Sequence, residues 1–159
     1  MDYIPDSFDR QILAILQKDA DTPKNIIAER VNLSASAVTR RIAQLRQCGI
    51  IERTVCVLNP KKLGCGITIL TEVVLENERV DLFDEAMRRF EACPQVQQMY
   101  YVTGKFEFLL IFAVRDMEEY ERLARKLFFE LGNVLRFDTY VSMKNVKQSL
   151  EVVIDEPGH

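Results

Sequence analysis

Residues 22–53, TPKNIIAERVNLSASAVTRRIAQLRQCGIIER, decide the reading of the N-terminal part of the chain. Ile27 and Val31 give a first short helix an apolar edge at i, i+4 spacing. Asn32 sits at its exit, where a residue tolerant of positive φ is favoured. Ser34 can cap a second helix through its hydroxyl, and Val38, Ile42 and Leu45 supply that helix with a buried stripe. Gly49 followed by Ile50 matches a C-terminal cap that folds back on the last turn. Helix, tight turn and capped helix predict a DNA-binding helix-turn-helix.

At 100° per residue, the stripe of Val38, Ile42 and Leu45 fixes which side chains face outward. Ser36, Arg40 and Gln47 point away from it, Thr39, Ala43 and Gln44 lie to either side, and Arg41 and Arg46 occupy the flanks. Small and hydrogen-bonding residues near the helix N-terminus, with an Arg among them, suit a major groove about 12 Å wide. An amphipathic helix with a merely solvated face is the competing reading. The turn, the two caps and the local charge together favour DNA.

The whole chain carries 21 basic and 24 acidic residues, a balance that taken alone argues weakly against nucleic acid. Its distribution is more informative. Residues 24–62 hold eight basic and two acidic residues, a balance of +6, whereas residues 63–159 hold eleven and seventeen, a balance of −6. Only the first segment is suited to phosphates through counterion release. No 18-residue apolar run marks a membrane span, and MDYIPDSFDR lacks a signal-peptide layout. Cys48, Cys56, Cys65 and Cys93 have no metal-type spacing, and reduced thiols in a cytoplasmic chain are expected. His159 is the sole histidine, which disfavours histidine catalysis and His-containing zinc sites, and no glycine-rich phosphate loop or nucleophile elbow occurs. No metal or cofactor is expected.

A helix over about 7–19, with Phe8, Ile12, Ile15 and Leu16 on one side, completes a three-helix core. TVCVL at 54–58 reads as a short strand, as linker or wing, and NPKKLGCG at 59–66 as a hinge. Beyond it come a strand at 67–76, a helix at 79–92 carrying Phe83, Met87 and Phe90, and strands at 97–103 and 106–114 around the Gly104 turn. A helix at 117–131 and a strand at 134–146 follow, with 150–154 as one more candidate strand. The expected fold is α+β: a (winged) helix-turn-helix domain at 1–53, a linker at 54–66, and a ferredoxin-like βαββαβ domain at 67–159. In that helix Met117, Tyr120, Ala124, Leu127, Phe128 and Leu131 line one side.

Both sides of the 106–114 strand are apolar: Phe106, Phe108, Leu110 and Phe112 on one, Leu109, Ile111 and Ala113 on the other, interrupted only by Glu107. Leu135, Phe137, Thr139, Val141 and Met143 share a face of the last strand. A sheet with one helix layer should be polar on its free side. The simplest cover for an apolar one is a second copy, which would also bring two recognition helices to one duplex.

Five blocks in order, DRQILAIL (9–16), LSASAVTRRIAQL (33–45), GII (49–51), YVTGKFEFLL (101–110) and TYVSMKNVKQS (139–149), make the chain resemble the Lrp/AsnC regulators, the leucine-responsive or feast/famine family. The resemblance runs from Asp9 to about Ile154. It implies a transcriptional regulator rather than an enzyme, acting on double-stranded DNA as a homodimer often assembled into an octamer. It also implies a C-terminal sheet domain, called RAM, that binds a free amino acid in a crevice between subunits.

The positions matching that crevice are Tyr101, Thr103, Gly104, Phe106, Glu107, Phe137 and Thr139. Glycine-turn N–H groups can hold a carboxylate, and a nearby acid an ammonium. Two positions depart from the family pattern: Glu107 stands where Asp is usual, and Phe137 where a small polar residue is common. They imply an effector shaped differently from leucine, or none; an interfacial salt bridge is the bland role for Glu107. On the DNA side Ser36, Thr39 and Arg40 are the candidates for bases, and Lys24, Ser34, Arg41 and Arg46 for the backbone, with an intradomain contact the alternative for Arg41. The rival functions are a tetrapyrrole (sirohaem-type) decarboxylase of the same architecture, disfavoured by the lack of an internal histidine, and an effector sensor without DNA binding, disfavoured by the +6 segment.

Overall fold

A computed structural model describes residues 3–77 and 79–154. The sole histidine, His159, lies outside them. The chain divides into two compact units, one holding the residues up to Val57 together with those from Lys147 on, the other spanning Leu58–Val146.

In the first unit, three helices α1 (Ser7–Leu16), α2 (Lys24–Val31) and α3 (Ala35–Gln47) enclose a core of Ile12, Ile27, Ala28, Val31, Val38 and Ile42. Asp6 caps α1 by accepting from the Asp9 N–H at 2.9 Å, and the Asp9 carboxylate accepts from the Asp6 N–H at 3.1 Å, a reciprocal capping box. The helix stops at Leu16 rather than 19, because the following Asp19–Thr22 segment closes on itself: Thr22 donates its hydroxyl and its N–H to the Asp19 carbonyl. Phe8 is not part of the apolar side as expected. It is partly exposed, with the Arg41 guanidinium 5.4 Å above its ring.

The turn is as the sequence has it. Asn32 adopts φ 53°, ψ 45°, and Ser34 accepts the Ala37 N–H at 3.2 Å. Gly49 takes φ +78°, and the fold-back that it permits seats Ile51, not Ile50: the Ile51 N–H donates to the Leu45 carbonyl at 3.0 Å, and its side chain joins the core.

The expected strand at 54–58 is absent. Thr54–Leu58 joins no ladder, and Val55, Val57 and Leu58 are exposed. The candidate strand at 150–154 does not form either, and residues 147–154 group with the first unit rather than with the expected 67–159 domain. Gln17 holds the segment in the first unit, donating from Nε2 to the Val152 carbonyl at 3.2 Å and accepting the Val152 N–H at 3.1 Å.

The second unit is the expected ferredoxin-like arrangement. Strands β1 (Ile67–Leu75), β2 (Val96–Tyr101), β3 (Phe108–Val114) and β4 (Val134–Val141) form an antiparallel sheet in the order β2-β3-β1-β4, crossed by helices α4 (Val80–Glu91) and α5 (Met117–Ala124). Ile69, Thr71, Val73 and Leu75 alternate on β1 with partly exposed residues and face Ala86, Phe90, Tyr120, Ala124, Leu127 and Phe128. The helix expected over 117–131 is α only to Ala124. It widens into a π turn at Arg125–Phe129, where the Glu130 N–H reaches the Arg125 carbonyl, and Met117 at its start is exposed rather than packed.

β4 ends at Val141, short of 146, and the Asn145 side chain then ties to the Thr68 hydroxyl. The face away from the helices carries Leu70, Val74, Leu109, Ile111 and Ala113, all half-buried, beside the exposed Tyr100 and Tyr140. Among the described residues no element covers it, and no helix is long and apolar enough to cross a membrane.

Candidate nucleic-acid interface and effector cleft

Helix α3 presents Ser36, Thr39, Arg40, Ala43, Gln44, Arg46 and Gln47 to solvent and carries no acidic residue. Two of its hydroxyls are already partly engaged: Ser36 lies 3.1 Å from the capping Ser34 hydroxyl, and Thr39 donates back to the Ala35 carbonyl at 2.9 Å. Thr39 therefore offers a base its lone pairs and its methyl group rather than its proton. Lys24 is half-buried at the start of α2.

Arg41 is placed differently from its neighbours. Its Nη1 lies 2.8 Å from Asp6 Oδ2 and 2.9 Å from Asp9 Oδ1, so that it bridges α3 to the α1 cap, the intradomain alternative of the sequence reading. Asp9 is fully buried and receives a further bond, 2.6 Å long, from the Tyr3 hydroxyl. That bond, with burial adding to it, pushes the Tyr3 phenol up to about 12. Burial raises the Asp6 carboxyl, but the Asp9 N–H and the Arg41 guanidinium outweigh it and hold the group below its ordinary value. Sequence reasoning missed Tyr3, Asp6 and Asp9. The D-x-x-D spacing ahead of an apolar run was a usable signal for the cap, though not for the arginine it would hold.

In the second unit the Gly104 turn, φ +153°, opens one wall of a cleft of about 360 Å³ lined by Val80, Phe83, Tyr101, Val102, Thr103, Gly104, Phe106 and Glu107. Five of the seven crevice candidates, Tyr101, Thr103, Gly104, Phe106 and Glu107, thus meet in one place. Val80 and Phe83 come from α4 and were not anticipated, because only the crossover brings them there; Phe83 packs on Tyr101 and Phe108 with ring centroids 4.9 and 5.0 Å apart. Glu107 Oε2 accepts the Leu75 N–H at 2.8 Å, so its longer side chain ties the turn to the end of β1.

Phe137 and Thr139 are not in that cleft. They lie on β4, across β1 from it, Phe137 opposite Val73 and Thr139 opposite Thr71. Phe137 lines a second, larger and mostly apolar cleft of about 720 Å³ with Met117, Tyr120, Glu121, Ala124, Arg125 and Phe129, its ring 4.6 Å from Phe128. Thr139 sits 2.7 Å from the Tyr120 hydroxyl, which in turn lies 2.8 Å from the buried Thr71 hydroxyl. In a single chain the seven positions therefore fall on two surfaces.

Residues 68–152 match the family model of the Lrp/AsnC ligand binding domain, and residues 5–52 that of a winged helix-turn-helix DNA-binding domain. The chain belongs to the Lrp/AsnC family. Over 149 residues, 94% of this chain and 91% of that protein, it is 32% identical to the leucine-responsive regulatory protein of Escherichia coli strain K12. Over 150 residues, 94% of this chain and 89% of the other, it is 37% identical to an uncharacterised HTH-type transcriptional regulator of Sinorhizobium fredii. The fold agrees with solved Lrp/AsnC-type structures. An AsnC family regulator from Agrobacterium tumefaciens superposes with a TM-score of 0.89 at 24% identity, covering 94% of this chain and 97% of that one. A Neisseria meningitidis regulator solved as its L-Met complex gives 0.90 at 22%, covering 96% and 98%. Like the rest of the Lrp/AsnC family, the chain is an effector-responsive transcriptional regulator with a DNA-binding head, not an enzyme.

Proposed function

We propose that the protein reads operator DNA as a homodimer, two copies meeting through the open sheet face, and that a small carboxylate-bearing effector, in the first place an amino acid, tunes that reading from the Gly104 cleft. One observation carries the DNA reading: α3 turns Ser36, Thr39 and Arg40 outward behind the Ser34 cap with no acidic residue beside them. These three contact bases; Lys24, Ser34 and Arg46 contact phosphates, Lys24 and Ser34 from the positive N-terminal ends of α2 and α3 and Arg46 by its own charge from the last turn of α3. The sequence also put Arg41 among the phosphate contacts, but Asp6 and Asp9 hold its guanidinium.

The effector reading is supported by the gathering of Thr103, Gly104 and Glu107 around one cleft, and by the L-Met complex of the Neisseria relative. Phe137 and Thr139 would complete the site only from a neighbouring copy, which fits an assembly larger than a dimer, an octamer by family likeness. A cytoplasmic location follows from the work such a regulator does.

Fluorescence anisotropy with genomic duplex fragments at increasing salt, with and without each proteinogenic amino acid, tests both parts. Binding that weakens steeply with salt and shifts with at least one amino acid is expected. No binding at about 50 mM salt would overturn the DNA reading. Binding indifferent to every amino acid would overturn the effector reading alone.

A further inference from the structure

We propose that Arg41 is a positioning residue for DNA reading: with Asp6, Asp9 and Tyr3 it forms a lock that fixes α3 against α1 and so sets where Ser36, Thr39 and Arg40 meet the bases. The proposal rests on α3 being the reading helix.

Four observations meet at this lock. Arg41 lies next to Arg40 in sequence but on the flank of α3, so the chain places one basic side chain outward and its neighbour against α1. The carboxylate it grips, Asp9, is fully buried, and a buried carboxylate is stable only while its donors stay in place. Those donors come from three separate parts of the unit: the Tyr3 hydroxyl at 2.6 Å, the Asp6 N–H at 3.1 Å and Arg41 Nη1 at 2.9 Å. The same pair, Asp6 and Asp9, also forms the α1 capping box. One cluster therefore sets the start of α1, the path of the chain before it and the flank of α3.

The apolar core alone does not fix α3 so closely. Val38, Ile42 and Leu45 seat α3 by burial, through contacts that are individually non-directional. A two-point ionic bond on the flank opposes rotation about the helix axis. Base recognition needs that precision, since hydrogen bonds to base edges fail with small displacements, whereas attraction to phosphates survives them.

The two roles open to Arg41 leave different marks. A phosphate contact contributes about 0.9 to the slope of log affinity against log salt and nothing to sequence preference. A lock contributes to preference and little to the slope.

Arg41→Met, Asp9→Asn and Tyr3→Phe are compared with wild type and with Arg46→Ala, on a duplex selected from a random pool and on random duplex, over a salt series well below each variant's Tm. For Arg41→Met the ratio of selected to random affinity should fall about tenfold, one base contact's worth, with the salt slope within about 0.3 of wild type. Asp9→Asn should lose the ratio similarly while holding or raising random-duplex affinity, because a negative charge has gone. Tyr3→Phe, which changes no charge, should lose about twofold to threefold in the ratio, the smaller loss of a single hydrogen bond. Arg46→Ala should flatten the slope by about 0.9 and keep the ratio.

A role confined to folding would reduce the active fraction and hence both affinities equally, leaving the ratio unchanged; that outcome overturns the proposal. So does an Arg41→Met slope flattened by about 0.9 at constant ratio, which would mark a phosphate contact. Should Arg41→Met not fold, Tyr3→Phe decides alone, an unchanged ratio contradicting the lock. Failure of wild type to bind any duplex would instead sink the DNA reading itself.

Discussion

In the helical unit, the side chains that α3 turns away from its core are Ser36, Thr39, Arg40, Ala43, Gln44, Arg46 and Gln47. In the sheet unit, the side chains that β1 and β3 turn away from theirs include Leu70, Val74, Leu109, Ile111 and Ala113. Both units are built the same way, one apolar layer against another, and they differ in what they leave outside. The first surface gains most from a polyanion, which takes up its cations without demanding that any apolar group be covered. The second is covered, in the proposed dimer, by a copy of itself, which takes those side chains out of water. In the proposed dimer the two units divide the work: the sheet pairs the chains and the helices read the duplex.

The sharpest contrast is between the inner and outer faces of the same sheet. Phe90, buried between Phe108 and Phe128, should cost about 3–5 kcal/mol of folding stability on replacement by Ala, read by denaturant unfolding. Ile111→Glu on the outer face should leave that stability within about 1 kcal/mol. It should instead raise the dimer dissociation constant on the order of 100-fold, measured by sedimentation, since each interface would bury two unpaired carboxylates. If Ile111→Glu unfolds the chain and leaves association intact, the two faces have been misassigned.

On the helical side, Arg40→Ala should cost about 1–3 kcal/mol at one position of the binding site and relax preference there. A uniform loss over all sequences would mark Arg40 as a phosphate contact. Ser34→Ala should cost about 1 kcal/mol of stability, the loss of one helix cap, with little change in association.

The smallest effect is a pH dependence, which Glu119 brings to the sheet unit. The Arg115 N–H, 2.8 Å from Glu119 Oε2, and then the Arg115 guanidinium hold the Glu119 carboxyl below its ordinary 4.5. A depressed carboxylate contributes stability that is whole above the unfolded value and is lost as pH falls through the folded one. The melting temperature should therefore drop below about pH 4.5, less steeply in Glu119→Gln.

What the sequence disclosed follows from the range of the interactions. Asn32, Ser34 and Gly49 act within one turn of chain, so residue type alone placed the helix ends. Alternation of side chains marked β1 and β3 for the same reason. Extended pieces that need a distant partner were misread: Thr54–Leu58 looked like a strand by composition, yet a strand exists only where another lies beside it. The tail was misassigned because nothing local shows that Val152 meets the Gln17 amide. Family likeness grouped Phe137 and Thr139 with Gly104 in a crevice between subunits; within one chain the antiparallel order puts β1 between them. Arg41 had two readings on its flank of α3, and only the packing of α1 supplies the carboxylates that distinguish them.

Paired reading heads are most directly tested by hydroxyl-radical footprinting on a selected duplex, with protein concentration spanning the dimer transition. We expect two symmetric protected half-sites about one helical turn, roughly 10 base pairs, apart, appearing together and lost together in Ile111→Glu. A single protected half-site, filled by the monomer as tightly as by wild type, would contradict the role given to the sheet.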